Sequence, residues 1–210
     1  GASIEFYSGL NPNWTIGEGI TKPSVVDANP SPYMRNMSDP NNVQGVLISP
    51  QPDTYGGAFW ADPTNINVDH GGVHANSGVG NFWFYLLSVG GTGVNDIGNT
   101  YNVTGITIQK AERIIYRALT NYMTPNTTFM DALNSTKQAV TDLYGATSME
   151  QQQNVNAWYA VGLGNGILST NEAQTELNDQ FTIYPNPVKN GMFTIKNNKV
   201  FSFRQLFNLK

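Results

Sequence analysis

The sequence predicts a mainly α-helical protein: a helical bundle with an irregular, loop-rich region before it and a small β tail after it. Three observations lead there. Between residues 76 and 163, apolar side chains recur at helical spacing in four runs, each bounded by polar caps and by glycine or proline. Before that, to about Asp69, segments such as NPNWTIGEG, VVDANPSP, SDPNN and QPDTYGG are dense in Asn, Pro and Gly and read as loops. After Gly164 the composition turns polar, and the runs then become short and extended.

The first expected helix starts near Asn76 or Ser77, either of which can cap it. Phe82, Trp83, Tyr85, Leu86, Leu87 and Val89 make it apolar almost all round, the pattern of a buried helix, and Gly90-Gly91 end it. In TIQKAERIIYRALTNYM, the residues Ala111, Ile114, Ile115, Ala118, Leu119 and Tyr122 keep a 3.6-residue period, with Thr107 as cap and Pro125 at the exit. The third run places Phe129, Ala132, Leu133, Ala139, Val140 and Leu143 on one face and stops at Gly145. Ser148 and Gln151 fit a capping box for the fourth, whose Val155, Trp158 and Tyr159 are expected to face inward. Residues 164–180 read as a polar linker. FTIYPNPVKNGMFTIKN then reads as strand, turn and strand, with Phe181, Ile183, Phe193 and Ile195 as its apolar positions.

Bulk properties narrow the function classes. Charged residues are only 12% of the chain, the formal net charge is -4, and no Lys/Arg cluster is present, which argues against nucleic acid as the main partner. Cysteine is absent, so neither disulfides nor thiol chemistry are available. No run of about 18 apolar residues exists to cross a membrane. The chain opens GASIEFYSG, without an initiating Met or a basic signal segment, and reads as an internal start.

Both histidines fall in one glycine-rich bend, NVDHGGVHANSG. His70 and His74 are four apart, but Gly71 and Gly72 between them speak against a helical metal-binding pair, and no HExxH pattern is present. His74 is either a satisfied loop residue or a donor to a developing negative oxygen, with Asp69 holding the other ring nitrogen. Arg35, in SPYMRNMSDP, is either a clamp for a carbonyl or carboxylate or a structural tie between loops. Glu5, Asn11, Asn13 and Glu18 supply hard oxygens in a loop setting, which suits either calcium or plain turn chemistry. Asn102, Asn126 and Asn134 lie in glycan-acceptor triplets, which count only in a suitable host.

The stretches GASIEFYSGLNPNWTIGEG, MRNMSDP, DHGGVHANSGVGNFWFYLLSVGGT, AERIIYRALTNYMTPNTTFMDAL and AVTDLYGATSMEQQQNVNAWYAVGL together resemble the C-terminal domain of the thermolysin-like zinc metalloproteases, over residues 1–163. GGVHANSG followed by YRALTNYMTP and TDLYG is the specific part of that match. The resemblance implies a secreted endopeptidase in which zinc activates water. By that resemblance His74 is the histidine that stabilises the tetrahedral oxyanion, and Asp69 the carboxylate that orients it. Arg35 holds the substrate carbonyl, and Ile16, Ile20 and Met34 border a pocket for a bulky apolar residue after the cut. Glu5, Asn11, Asn13 and Glu18 match a calcium cluster, with Asn13 standing where the family often has aspartate, so weak calcium binding is expected. The family's zinc ligands do not occur in this sequence. The partner expected for these residues is therefore a zinc-bearing N-terminal half of the same protein, and the fragment alone is expected to be inactive.

In the tail, residues 181–210, the stretch of about residues 181–198 is similar to the C-terminal sorting domain of proteins exported by the type IX secretion system, while KVFSFRQLFNLK departs from that pattern. The likeness rests on its YPNP and NG core, and the later strands of that domain are missing. This resemblance implies a bacterial protein, secreted or at the cell surface, that meets secretion machinery through its tail. The competing expectation is a non-catalytic binding or structural module of a secreted protein.

Overall fold

A computed structural model describes residues 1–17, 33–42, 50–166, 181–189 and 192–197. The chain divides into two compact units, Gly1–Ile167 and Leu168–Lys210.

The first unit is mainly helical. Its helices are α1 (Ala2–Tyr7), α2 (Ser77–Val89), α3 (Ile108–Asn121), α4 (Phe129–Tyr144) and α5 (Met149–Ala160). Helix α2 packs against α3 and α5, while α4 packs against both α3 and α5. The core between them holds Val79, Trp83, Leu86 and Leu87 of α2, Ala111, Ile114 and Ala118 of α3, Leu133, Ala139 and Val140 of α4, and Ala157 and Trp158 of α5. Trp83 and Trp158 stack at its centre, 4.7 Å between ring centroids. Burying side chains of this size supplies about 1.5–3 kcal/mol each before the ordering cost is counted. Of the side chains expected on the apolar faces, Val89, Leu119 and Tyr122 are instead exposed, each at the last turn or the C-cap of its helix.

The caps differ in detail from expectation. Thr128 and Asp131 form a full capping box at α4. At α5 only half the box forms: Ser148 accepts from the Gln151 N–H, while the Gln151 side chain turns to the Lys137 carbonyl and the Thr141 hydroxyl. Thr107 precedes α3 without a side-chain cap bond, at φ 78°. Asn76 does not cap α2; its amide makes a two-point clamp on Ala61, accepting from the N–H and donating to the carbonyl, both at 2.9 Å.

Helix α5 buries more polar side chains than its pattern suggests. Gln153, Asn154 and Asn156 are all buried. Gln153 accepts from the Thr104 N–H at 2.7 Å, and Thr136 accepts from both Asn154 and Trp158 Nε1. Gln153 Oε1 and the Asn154 NH2 group are thus satisfied inside the protein, while Asn154 Oδ1 is buried without a partner among the described residues.

Two expectations are corrected. Where the sequence suggests only a helix stop at Gly90-Gly91, the chain after α2 forms an antiparallel hairpin, β3 (Gly90–Val94) with β4 (Thr100–Thr104), in register Thr92↔Asn102. Gly90 and Gly91 open that strand rather than merely ending the helix, because a Cβ at Gly90 would lie 2.7 Å from the Val103 carbonyl oxygen. The opening region is not wholly irregular either. Helix α1 packs on α3. A short ladder pairs β1 (Thr15–Ile16) with β2 (Arg35–Asn36).

The second unit shows β5 (Phe181–Lys189) and β6 (Met192–Asn197) as an antiparallel pair, with Ile183 opposite Ile195. The register shifts between Tyr184 and Lys189, where Pro185 and Pro187 have no N–H to give to the ladder.

Candidate active site

The site is built on a backbone turn of the unusual hand. Asp69, His70, Gly71 and Gly72 follow one another at φ 50°, 49°, 79° and 79°. They form a single left-handed helical turn, Asp69–Gly72. Left-handed helix costs an L residue about 1–2 kcal/mol, and only glycine escapes that cost. Asp and His are among the residues that enter this region more readily than most. The sequence DHGG therefore suits the turn residue by residue.

The Asp69 carboxylate closes the turn. Its Oδ2 accepts from the backbone N–H of His74 at 3.0 Å and of Ala75 at 2.9 Å, while Oδ1 lies 2.5 Å from His74 Nδ1. The Ala75 N–H, then the His74 ring, hold the Asp69 carboxyl below its ordinary value. An ionised carboxylate only accepts, so Nδ1 carries the proton of the shared bond. Nε2 of the neutral ring is then an acceptor, and it becomes a donor only in the doubly protonated ring. The His74 side chain is 63% exposed, against 26% for Asp69. The ring is thus anchored at one nitrogen and open to solvent at the other end.

The backbone of His74 is anchored separately. Its carbonyl accepts from Arg35 Nη1 at 3.1 Å, Gln51 Nε2 at 2.8 Å and Ser77 Oγ at 2.6 Å. Arg35 Nη1 also reaches Ser77 Oγ, and Gln51 Oε1 at 3.4 Å. Among the described residues, the side-chain hydrogen bonds of Arg35 run from Nη1. The ladder delivers Arg35 to this point, since Arg35 pairs with Ile16 and the Met34 N–H donates to the Ile16 carbonyl at 2.7 Å.

The structure therefore brings Asp69, His74 and Arg35 together, with Ile16 and Met34 next to Arg35. Ile16 is half-buried and packs on the small apolar cluster of Ala2, Met37 and Ile108. Met34 lies over Gly17, where a Cβ would come within 2.6 Å of Met34 Cγ. Ile20 and Glu18 lie outside the described residues. His70 is exposed and serves the turn through its backbone.

Of the oxygen donors near the start, Glu5 and Asn13 meet: the Asn13 N–H donates to Glu5 Oε2 at 3.3 Å, and Asn13 Oδ1 accepts from the Thr15 N–H at 3.0 Å. Asn11 is exposed. Among the described residues no three His, Cys, Asp or Glu side chains gather to hold a metal ion. Among them, too, no helix is long and apolar enough to cross a membrane.

Sequence reasoning missed Gln51 and the second duty of Ser77. Gln51 sits in a polar, proline-flanked loop with no periodicity to mark it. Only its burial, 4% exposed, sets it apart.

Comparison with known proteins gives a consistent assignment. The family model described as thermolysin metallopeptidase, alpha-helical domain, matches residues 1–163. A bacillolysin of Bacillus caldolyticus is 40% identical over 164 residues, covering 78% of this chain and 26% of that protein. A thermolysin of Alicyclobacillus acidocaldarius subsp. acidocaldarius is 39% identical over the same length and shares. A bacillolysin of Bacillus cereus is 40% identical, covering 78% of this chain and 25% of that protein. The chain spans about a quarter of the length of these curated relatives.

Proposed function

The chain belongs to the thermolysin metallopeptidase family through its alpha-helical domain, and from that premise we propose that residues 1–163 form one wall of a cleft in which the full-length protein hydrolyses peptide bonds. The observation that carries this reading is the Asp69–His74 pair, held on a left-handed turn with the far side of the ring open to solvent. A ring fixed on one side and exposed on the other is built to act on something outside the chain.

The proposed chemistry of these residues is donation and positioning. The doubly protonated His74 donates from Nε2 to the oxygen that becomes negative as water adds to the peptide carbonyl. Asp69 keeps Nδ1–H aligned and stabilises the cationic ring. Arg35 gives a hydrogen bond to a substrate carbonyl from its outer guanidinium edge, while Nη1 holds the His74 loop. Ile16 and Met34, with Ile20, border the pocket for a bulky apolar residue after the cut. Zinc does not fit the described residues, which offer no group of three ligands. In this reading the metal belongs to an N-terminal half of the full-length protein. The chain by itself binds no catalytic zinc and cleaves little or nothing. Glu5 and Asn13, with Asn11 and Glu18, form at most a weak calcium site.

The tail is proposed to be a partial type IX sorting domain that meets secretion machinery and sends the protein out of a bacterial cell. The YPNP and NG motifs and the paired strands β5 and β6 support this.

The test is made on the full-length protein with an internally quenched peptide carrying a bulky apolar residue after the scissile bond. Chelator-sensitive turnover that collapses in His74→Phe, with folding intact, is the expected result. Absence of an HExxH pattern in the full-length sequence, or equal turnover in His74→Phe, overturns the reading in favour of a non-catalytic binding or structural module.

A further inference from the structure

We infer that Gln51 is a positioning residue: its side-chain amide holds the His74 backbone and, through it, the orientation of the ring. The inference deepens the peptidase reading, and its functional half rests on that reading.

Gln51 is 4% exposed and fixed at its own backbone, where its N–H donates to the Pro40 carbonyl at 2.9 Å. The segment it opens is a strap anchored at several points. Pro52 and Thr54 are almost fully buried. The Tyr55 N–H donates to the Val161 carbonyl at 2.8 Å, beyond the end of α5. The start of α2 lies against this strap so closely that a Cβ at Gly78 would come within 2.5 Å of the Pro52 carbonyl oxygen and 2.8 Å of Gln51 Cβ. The amide is therefore presented from a rigid support, unlike the exposed loop that it grips.

Only an amide does what this position asks. Nε2 donates to the His74 carbonyl at 2.8 Å while Oε1 accepts, at a longer 3.4 Å, from Arg35 Nη1. A carboxylate keeps the acceptor for Arg35 and loses the donor for the carbonyl. An alkyl side chain loses both. Asp69 grips the same loop from its other side, through the N–H groups of His74 and Ala75. The peptide between His74 and Ala75 is thus pinned at its carbonyl by Gln51 and at its N–H by Asp69, and the ring direction follows from both.

Two measurements test this. In the 210-residue chain, hydrogen exchange at the His74 and Ala75 amides is compared among native Gln51, Gln51→Glu and Gln51→Leu. Both variants are expected to exchange about tenfold faster or more at those two amides, while the core amides of α3 keep native rates. Gln51→Glu is near-isosteric and remains decisive if Gln51→Leu fails to fold. In the full-length protein, Gln51→Leu is expected to lower kcat/KM on the order of tenfold, since small misplacements of reacting groups carry large rate costs. With His74→Phe already present, the same change is expected to cost no more than about twofold, because its effect passes through His74. Native exchange in Gln51→Glu overturns the inference. So does an undiminished activity loss in the His74→Phe background, which marks a general structural role. If the native full-length protein shows no chelator-sensitive turnover, the peptidase reading fails, and the exchange result alone still decides whether Gln51 holds the loop.

Discussion

The helical bundle and the His74 loop are held by different kinds of force. In the bundle, stability is spread over many apolar contacts among α2, α3, α4 and α5, and each helix has a pattern and a stop of its own. In the loop, a few polar atoms do nearly everything: one carboxylate gathers two N–H groups and a ring nitrogen, and one carbonyl gathers three donors. In apolar packing, each lost side chain costs in proportion to the area and cavity it leaves. A loop held by a few directional bonds fails when one partner goes. The comparison teaches that the bundle and the loop rest on largely different sets of contacts, which can be probed one at a time.

The largest expected effect is in the bundle. Trp158→Ala removes a buried ring stacked on Trp83 and its bond to Thr136, and is expected to cost about 3–5 kcal/mol in urea unfolding. The His74 and Ala75 amides should keep their exchange rates relative to the weakened core. Loss of loop order in step with the core would break the separation.

Next comes the reverse case. His74→Phe in the full-length protein is expected to lower turnover about 10²–10³-fold, or about 2.7–4 kcal/mol of transition-state stabilisation. The thermal midpoint should barely move, because the ring is largely exposed. A large loss of stability would show the ring to be structural.

Gly71→Ala probes the backbone beneath the site. With φ at 79° and a new Cβ only 2.7 Å from the Pro63 carbonyl oxygen, it is expected to cost about 1–3 kcal/mol and to reduce turnover together with stability. Melting curves and peptide turnover on one preparation check this. A variant with native values would show that the left-handed turn is not required.

Thr128→Ala removes the cap of α4 and is expected to cost about 1 kcal/mol, read from the urea midpoint, with no change at the loop.

The mildest probe is pH. The folded Asp69 carboxyl lies below its ordinary value near 3.8, so its contribution is fully present above that value and is lost as pH falls through the lower, folded one. Loss of protection at the His74 and Ala75 amides, taken against their intrinsic exchange rates, is expected on acidification in that range, while the core amides stay protected. Equal protection down to full protonation would show that the carboxylate does not hold the loop.

The bundle was legible because its signals are local and repeated. Three of the four helical runs end within a residue or two of their observed bounds, and Gly145 stops α4 as its position suggests. Helix α5 was harder, since its buried Asn154 and Asn156 carry no apolar signal, and Asn154 finds its partner Thr136 in α4. The hairpin of β3 and β4 went unread because GGTGV carries almost no alternating apolar signal. The short helix α1 and the ladder of β1 and β2 lie in a stretch whose Asn, Pro and Gly content masks them.

By itself the sequence determined the helical class, the paired strands of the tail, and the residue types that accept a left-handed turn at DHGG. Periodicity, capping and backbone preference are properties of neighbouring residues, and they can be read without knowing the fold. Tertiary structure alone decided that Arg35 and Gln51 close on the carbonyl of His74, 39 and 23 residues away along the chain. No local rule relates such distant positions. They meet because the strap is packed against the start of α2 and the ladder carries Arg35 to Ser77 there, so hydrogen bonds then select the polar groups brought within reach.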